Sequence, residues 1–149
     1  MPIGEVCTRE VVIAKRETTI LEAAQLMRHH HVGNLVVTEE REGRRVPVGI
    51  ITDRDIAVSV VAPEVNASVF TCGDLLTREL VTVHEDQGIL ESIHKMRING
   101  IRRMPVIDKE GGLVGIIAVD DLIQLLSGEM NELAKLISRE QAREVKSKL

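Results

Sequence analysis

The chain passes between two hydrophobic periods, and it does so twice. Short β-branched runs, Val11–Ala14 and Val81–Val83, predict strands. Each is followed by a stretch in which apolar residues return every three or four positions: Ile20, Ala23, Ala24 and Met27 first, then Ile89, Ile93 and Met96. That spacing predicts a helix, with Thr18 or Thr19 before the first of them as its start signal. Two more strands follow in each half, Leu35–Thr38 and Val46–Thr52, then Met104–Ile107 and Leu113–Ile117. Asp108-Lys109-Glu110-Gly111-Gly112 between the last two reads as a turn. A second helix closes each half, from Asp53 to about Val61 and from Asp120 to Leu126 or beyond. The order is β-α-β-β-α, written twice.

The repetition extends to individual residues. Val6-Cys7-Thr8-Arg9-Glu10-Val11-Val12 returns as Leu75-Leu76-Thr77-Arg78-Glu79-Leu80-Val81, and Val48-Gly49-Ile50-Ile51 returns as Val114-Gly115-Ile116-Ile117. The register shifts by three residues between these blocks, within the charged stretch Glu39–Arg45. A longer surface turn in the first copy is the expectation, since such turns take insertions at small cost. A right-handed strand–helix–strand step puts its helix on one sheet face. The other face needs a cover, and the twin copy is the obvious one. Residues 1–68 and 69–126 are thus expected as two repeats, with 127–149 as a C-terminal amphipathic helix.

Composition narrows the function. At 44% hydrophobic and 28% charged residues, the chain has the make-up of a soluble globular protein. It has one Phe and no Trp or Tyr, so it lacks a platform for stacking single-stranded bases. A net charge of −4 gives no general attraction to nucleic acid or anionic lipid. No apolar run nears the roughly 20 residues of a membrane helix. The N-terminus has no apolar signal region, so a cytoplasmic protein is expected. Cys7 and Cys72 form no C-x-x-C pair and are read as free thiols.

Three pieces carry a resemblance. The first is Gly73-Asp74-Leu75-Leu76-Thr77-Arg78-Glu79-Leu80-Val81. The second is Arg102-Arg103-Met104-Pro105-Val106-Ile107-Asp108. The third is Gly49-Ile50-Ile51-Thr52-Asp53-Arg54-Asp55-Ile56, echoed by Gly115-Ile116-Ile117-Ala118-Val119-Asp120-Asp121-Leu122. Together, over about residues 5–126, they resemble the tandem CBS-domain family, or Bateman module. The resemblance implies an α/β (α+β) fold of two repeats packed through their sheets about a pseudo-two-fold axis. It also implies assembly into a disc-like homodimer, and clefts that take adenine nucleotides or related adenosyl ligands.

Thr52-Asp53-Arg54-Asp55 stands where a strand becomes a helix, and free amides at such a point attract phosphate. The resemblance gives Asp55 the ribose hydroxyls and Thr52 a phosphate or ribose oxygen, with Arg54 in the same motif. A plain helix start, with Thr52 or Asp53 as cap, is the other reading. The resemblance gives Arg102 and Arg103 the ligand phosphates, and Arg suits this because its fork binds them bidentately. Alternation along a strand lets only one of the two face the cleft; two solvated surface arginines are the alternative. For the Asp55 cleft the implied apolar wall comes from the opposite copy, as Val81, Thr82 and Ile101. A second, weaker cleft is expected at Asp120 and Asp121 with Val11, Val12 and Val32. There Ala118 replaces Thr52, and Asp120 adds a charge that repels phosphate unless paired. Each valine reads equally as core.

His29-His30-His31 are consecutive, point about 100° apart on a helix, and no ligand set completes them, so no metal is expected. No nucleophile–base pair or phosphate-loop motif appears, so neither is catalysis. In the tail, Leu126, Met130, Leu133 and Ile137 recur at helical spacing and the end is basic. Such a helix packs on its own module, seals a homodimer or grips a partner protein; interleaved acids argue against a nucleic-acid arm. The expectation is a regulatory module that needs no obligatory cofactor. It binds AMP, ADP or ATP, or less favourably NAD or S-adenosylmethionine, and signals to a regulated protein the sequence does not name. The alternative is a ligand-free scaffold homodimer.

Overall fold

A computed structural model describes residues 1–148; Leu149, the end of the expected tail, lies outside the described residues. The first repeat contains β1 (Ile13–Ala14), α1 (Ile20–His30), β2 (Asn34–Arg41), β3 (Arg44–Thr52) and α2 (Asp53–Ile56), which runs into a π-helical turn at Ala57–Val61. The second contains α3 (Cys72–Leu75), β4 (Val83–His84), α4 (Ile89–Asn99), β5 (Arg103–Ile107), β6 (Leu113–Ala118) and α5 (Val119–Lys148). Each repeat forms a three-stranded sheet, β1-β2-β3 and β4-β5-β6. The first pair of each is parallel and the second antiparallel. Irregularities fall at the equivalent steps Val37/Thr38 and Val106/Ile107. The expected mixed α/β architecture is therefore the one observed.

Local chemistry explains the helix ends. Thr19 caps α1 by accepting the Glu22 amide at 3.2 Å. The helix ends at His31, which is left-handed at φ 55°; its equivalent after α4 is Gly100, at φ 62°. Inside, Leu35, Val37 and Ile51 bury against Ile20, Ala23 and Met27, and Met104, Val106 and Ile117 against Val83 and Met96.

Two expectations change. The charged stretch Glu39–Arg45 is not a longer turn. Arg41 pairs with Arg44, Glu40 with Arg45 and Glu39 with Val46, so the extra residues lengthen the strands. The turn is only Glu42-Gly43, both at positive φ, as a tight hairpin matching the strand twist demands. At this ribbon the Arg16 and Arg41 guanidiniums both bind Glu39 and hold its carboxyl below the usual range. The second change is in the tail. Asp120–Leu126 and the residues after 126 form one unbroken helix, α5.

The two cores are not the two halves of the sequence. The segment Ile3–Glu5 forms a short 3-10 turn whose Ile3 is buried in the second core. Ile3 donates its amide to Gln87 and Gly4 to Glu85, at 2.7 and 2.8 Å. Conversely, Cys72 donates to Thr18 and Gly73 to Arg16, at 2.8 and 2.9 Å, and Cys72 is buried in the first core. Ile3 and Cys72, like Gly4 and Gly73, are equivalent positions of the repeat. The lead-in of each repeat is therefore exchanged onto the other. Each arm then crosses a strand at a glycine: Leu76 lies on Gly49 of β3, and Cys7 and Thr8 on Gly115 of β6.

Candidate functional site

The motif at the end of β3 builds a reciprocal cap. Thr52 Oγ1 accepts the Asp55 amide at 3.1 Å, and Asp55 Oδ2 accepts the Thr52 amide at 2.9 Å. This capping box consumes one carboxylate oxygen and leaves Oδ1 of Asp55 without a protein partner. It also leaves the Thr52 hydroxyl proton free to donate. Asp53 and Arg54 are exposed, and Asp53 Oδ1 accepts the Arg54 amide. The helix-start reading of this motif is the one observed, with Thr52 as the cap.

The second repeat keeps half of this device. Asp121 Oδ2 accepts the Ala118 amide at 3.0 Å, but Ala118 has no hydroxyl to return. Asp120 is 3.5 Å from Arg102, and both are largely exposed, so the extra acid is paired, weakly. Arg103 opens β5 opposite Ala118 and is half-buried, while Arg102 is exposed; alternation does separate the two.

The sheets group the apolar residues differently from the expectation. Asn34 at the start of β2 pairs with Thr52, and the Val36 amide donates to the Val12 carbonyl. The Asp53 amide donates to Gly33, the neighbour of Val32. Val11, Val12 and Val32 therefore flank the Thr52–Asp55 cap of their own repeat. In the second repeat Val119 donates to Arg102, next to Ile101, and Val81 and Ile101 pack on the core that includes Val119. Val81, Thr82 and Ile101 thus belong beside Ala118–Asp121. The parallel pairs β1–β2 and β4–β5 thus tie each group of apolar residues to the sheet that carries the cap of its own repeat.

A cavity of about 520 Å³ in the first repeat is lined by Glu10, Val11, Val12, Ile13, Leu26, His30 and Val32; Val32 adjoins Gly33, whose carbonyl accepts the Asp53 amide. Sequence reasoning missed Leu26 and His30. Their i, i+4 spacing on α1 placed them on one face, and the apolar wall beside them was the available signal. The equivalent of Leu26 in the second repeat is Lys95, whose ammonium donates to the Thr82 carbonyl at 2.5 Å. The first repeat thus has an apolar side chain where the second carries a cation.

His29 and His30 meet edge to face with centroids 4.9 Å apart, and His31 leaves the helix. Among the described residues no three His, Cys, Asp or Glu side chains converge as a metal site. No helix among them is long and apolar enough to cross a membrane.

Comparison with known proteins agrees with this architecture. The CBS domain family matches twice, at residues 3–62 and 72–128. An uncharacterised Methanopyrus kandleri protein, MK0525, is 35% identical over 123 residues, covering 83% of this chain and 61% of that protein. The chain therefore spans under two thirds of that relative. Among solved structures, the CBS domain pair of MJ0100, in complex with 5′-methylthioadenosine and S-adenosyl-L-methionine, superposes with a TM-score of 0.73 at 28% identity. It covers 87% of this chain and 98% of that one. The CBS domain protein PAE2072 from Pyrobaculum aerophilum, complexed with AMP, gives 0.72 at 26% identity, over 81% and 89% of the two chains.

Proposed function

The chain belongs to the CBS-domain family, and from that premise we propose that it is a non-catalytic regulatory module. It takes an adenine nucleotide or adenosyl ligand at the Thr52–Asp55 cap and passes the change to a partner protein. The observation that carries this reading is the cap itself, with a free Asp55 oxygen and a Thr52 hydroxyl in the same repeat as a cavity walled by Val11, Val12, Leu26 and Val32. A carboxylate accepts two ribose hydroxyls with charge-assisted strength. The valines and Leu26 offer the base an apolar wall. The cap amides are all engaged within the protein, so the exposed Arg54 guanidinium is the group left for a phosphate. AMP bound to PAE2072, and the adenosyl ligands bound to MJ0100, support the chemical class.

The Asp121 cleft, with Asp120, Val81, Thr82, Ile101, Arg102 and Arg103, is the weaker site in this reading. It lacks the hydroxyl, and Arg102 is engaged by Asp120. A ligand shifts a conformational equilibrium only through differential affinity. The exchanged arms make the relative tilt of the repeats the natural variable, read out in a homodimer or by the regulated protein.

Thermal melting with AMP, ADP, ATP, NAD, 5′-methylthioadenosine and S-adenosylmethionine tests the reading. A ligand at 100 times its Kd adds about 2.7 kcal/mol, or roughly 5–11 °C at about 2–4 °C per kcal/mol. Asp55→Ala should remove the shift, and Asp121→Ala should reduce it less. No shift with any of the six at millimolar concentration favours the ligand-free scaffold instead.

A further inference from the structure

The second part of α5 leaves the repeats. Every residue from Leu126 to Ser147 is exposed. Within it Leu126, Met130, Leu133 and Ile137 follow one another at steps of four, three and four, the a and d spacing of a coiled coil. Ile123, exposed as well, extends the seam by one step toward the repeats. At the next d position stands Glu140, so the seam ends there. A lone helix with an apolar stripe of this kind gains nothing from its packing face, and such a face calls for a cover.

Charge identifies the cover. Residues 119–134 carry Asp120, Asp121, Glu129 and Glu132 and no Lys or Arg. Residues 135–147 carry Lys135, Arg139, Arg143 and Lys146 against Glu140 and Glu144. Two copies side by side and parallel would set acid against acid and base against base. Two copies running antiparallel set the acidic half of each against the basic half of the other.

We propose that the α5 tails of two copies of this chain pair antiparallel, with Met130 of each against Leu133 of the other and Leu126 against Ile137. The crossing point lies between Asn131 and Glu132. The short seam fits this geometry, because an antiparallel pair centred there uses all four apolar residues of both copies and leaves the polar end of each helix outside it.

The inference rests on the homodimeric part of the proposed function and not on its ligand. The test uses the full chain in a Cys7→Ser background, with a nitroxide at Asn131→Cys or at Ala142→Cys, read by dipolar spectroscopy, and its mass by light scattering. Labels at 131 should lie within about 20 Å of each other. Labels at 142 should stand about 30 Å apart, given the 1.5 Å rise per residue. Met130→Glu with Leu133→Glu, both at exposed positions, should abolish the short distance at 131 without lowering the melting temperature of the repeats. A one-chain mass overturns both the pairing and the homodimer. A larger mass without the short distance at 131, a short distance at 142, or a short distance that survives the double substitution overturns the antiparallel tail pair alone. A shift on adding adenine ligands remains readable in every case.

Discussion

The amide of Ile3 donates to the carbonyl of Gln87 at 2.7 Å, so the third residue of the chain is anchored in the second repeat. Its side chain is fully buried there with Val83, Met96 and Met104. Ile3→Ala is expected to cost about 2–5 kcal/mol, the range for truncating a buried aliphatic side chain. Hydrogen exchange locates the loss. Amides of Met104 and Val106 should lose protection before those of Leu35 and Val37, and the reverse order would contradict the exchange of arms.

The two crossing glycines should differ in how they fail. A β-carbon on Gly115 would stand 2.5 Å from the Thr8 carbonyl oxygen and 2.8 Å from Cys7 Sγ. On Gly49 it would meet the side chain of Leu76. Backbone cannot retreat as a side chain can. Gly115→Ala should therefore cost about 1–3 kcal/mol or more, and Cys7→Ala should not restore it. Leu76→Ala should recover part of the loss from Gly49→Ala. Urea unfolding in a double-mutant cycle measures both couplings.

His31 holds a left-handed conformation, φ 55°, that its equivalent Gly100 holds without a β-carbon. His31→Gly should gain about 0.5–1 kcal/mol and raise Tm by roughly 1–4 °C. Gly100→His should lose a similar amount. A loss of stability in His31→Gly would show that the imidazole contributes more than the backbone strain costs.

Burial, with the Glu22 charge adding to it, pushes the Cys72 thiol from 9.0 up to about 11. The unfolded chain releases this proton first. The contribution of Cys72 to stability is therefore complete below pH 9 and disappears as the pH rises through about 11, a change of roughly 2–3 kcal/mol. The stability difference between the wild type and Cys72→Ala should shrink across that window. In the same protein at pH 8, a thiol reagent should modify half-buried Cys7 before Cys72. Equal rates would mean that the first core opens locally.

The local grammar of the fold was legible in the sequence, and its long-range choices were not. The duplicated periods located every sheet strand and the helices α1 and α4, because β-branched runs and three–four spacings are local signals. Thr52 and Asp55 were singled out through the resemblance, and the capping box that joins them spans only four residues, within reach of a local reading. The hidden part was which distant segment each piece would join. Val11 and Val12 carry no mark that says they flank Thr52 and not Asp121; that is set by the parallel β1–β2 pairing across all of α1. Ile3 and Cys72 read as the starts of their own repeats, and nothing in their spacing reveals the exchange. Glu39–Arg45 looked like a loop because its charges pair across strands, Glu40 with Arg45, and not with water alone.

The exchanged arms have a consequence for ancestry. A half-chain of 68 residues, left by itself, would carry the arm that the other core needs and would lack the one that completes its own. Two such halves would meet the need only by trading arms as a swapped homodimer. Fusing them end to end leaves every contact as it was and replaces a concentration-dependent encounter with one held at the effective concentration of a tether. A tandem duplication of such a half would hold inside one chain an exchange that two separate halves could reach only by meeting.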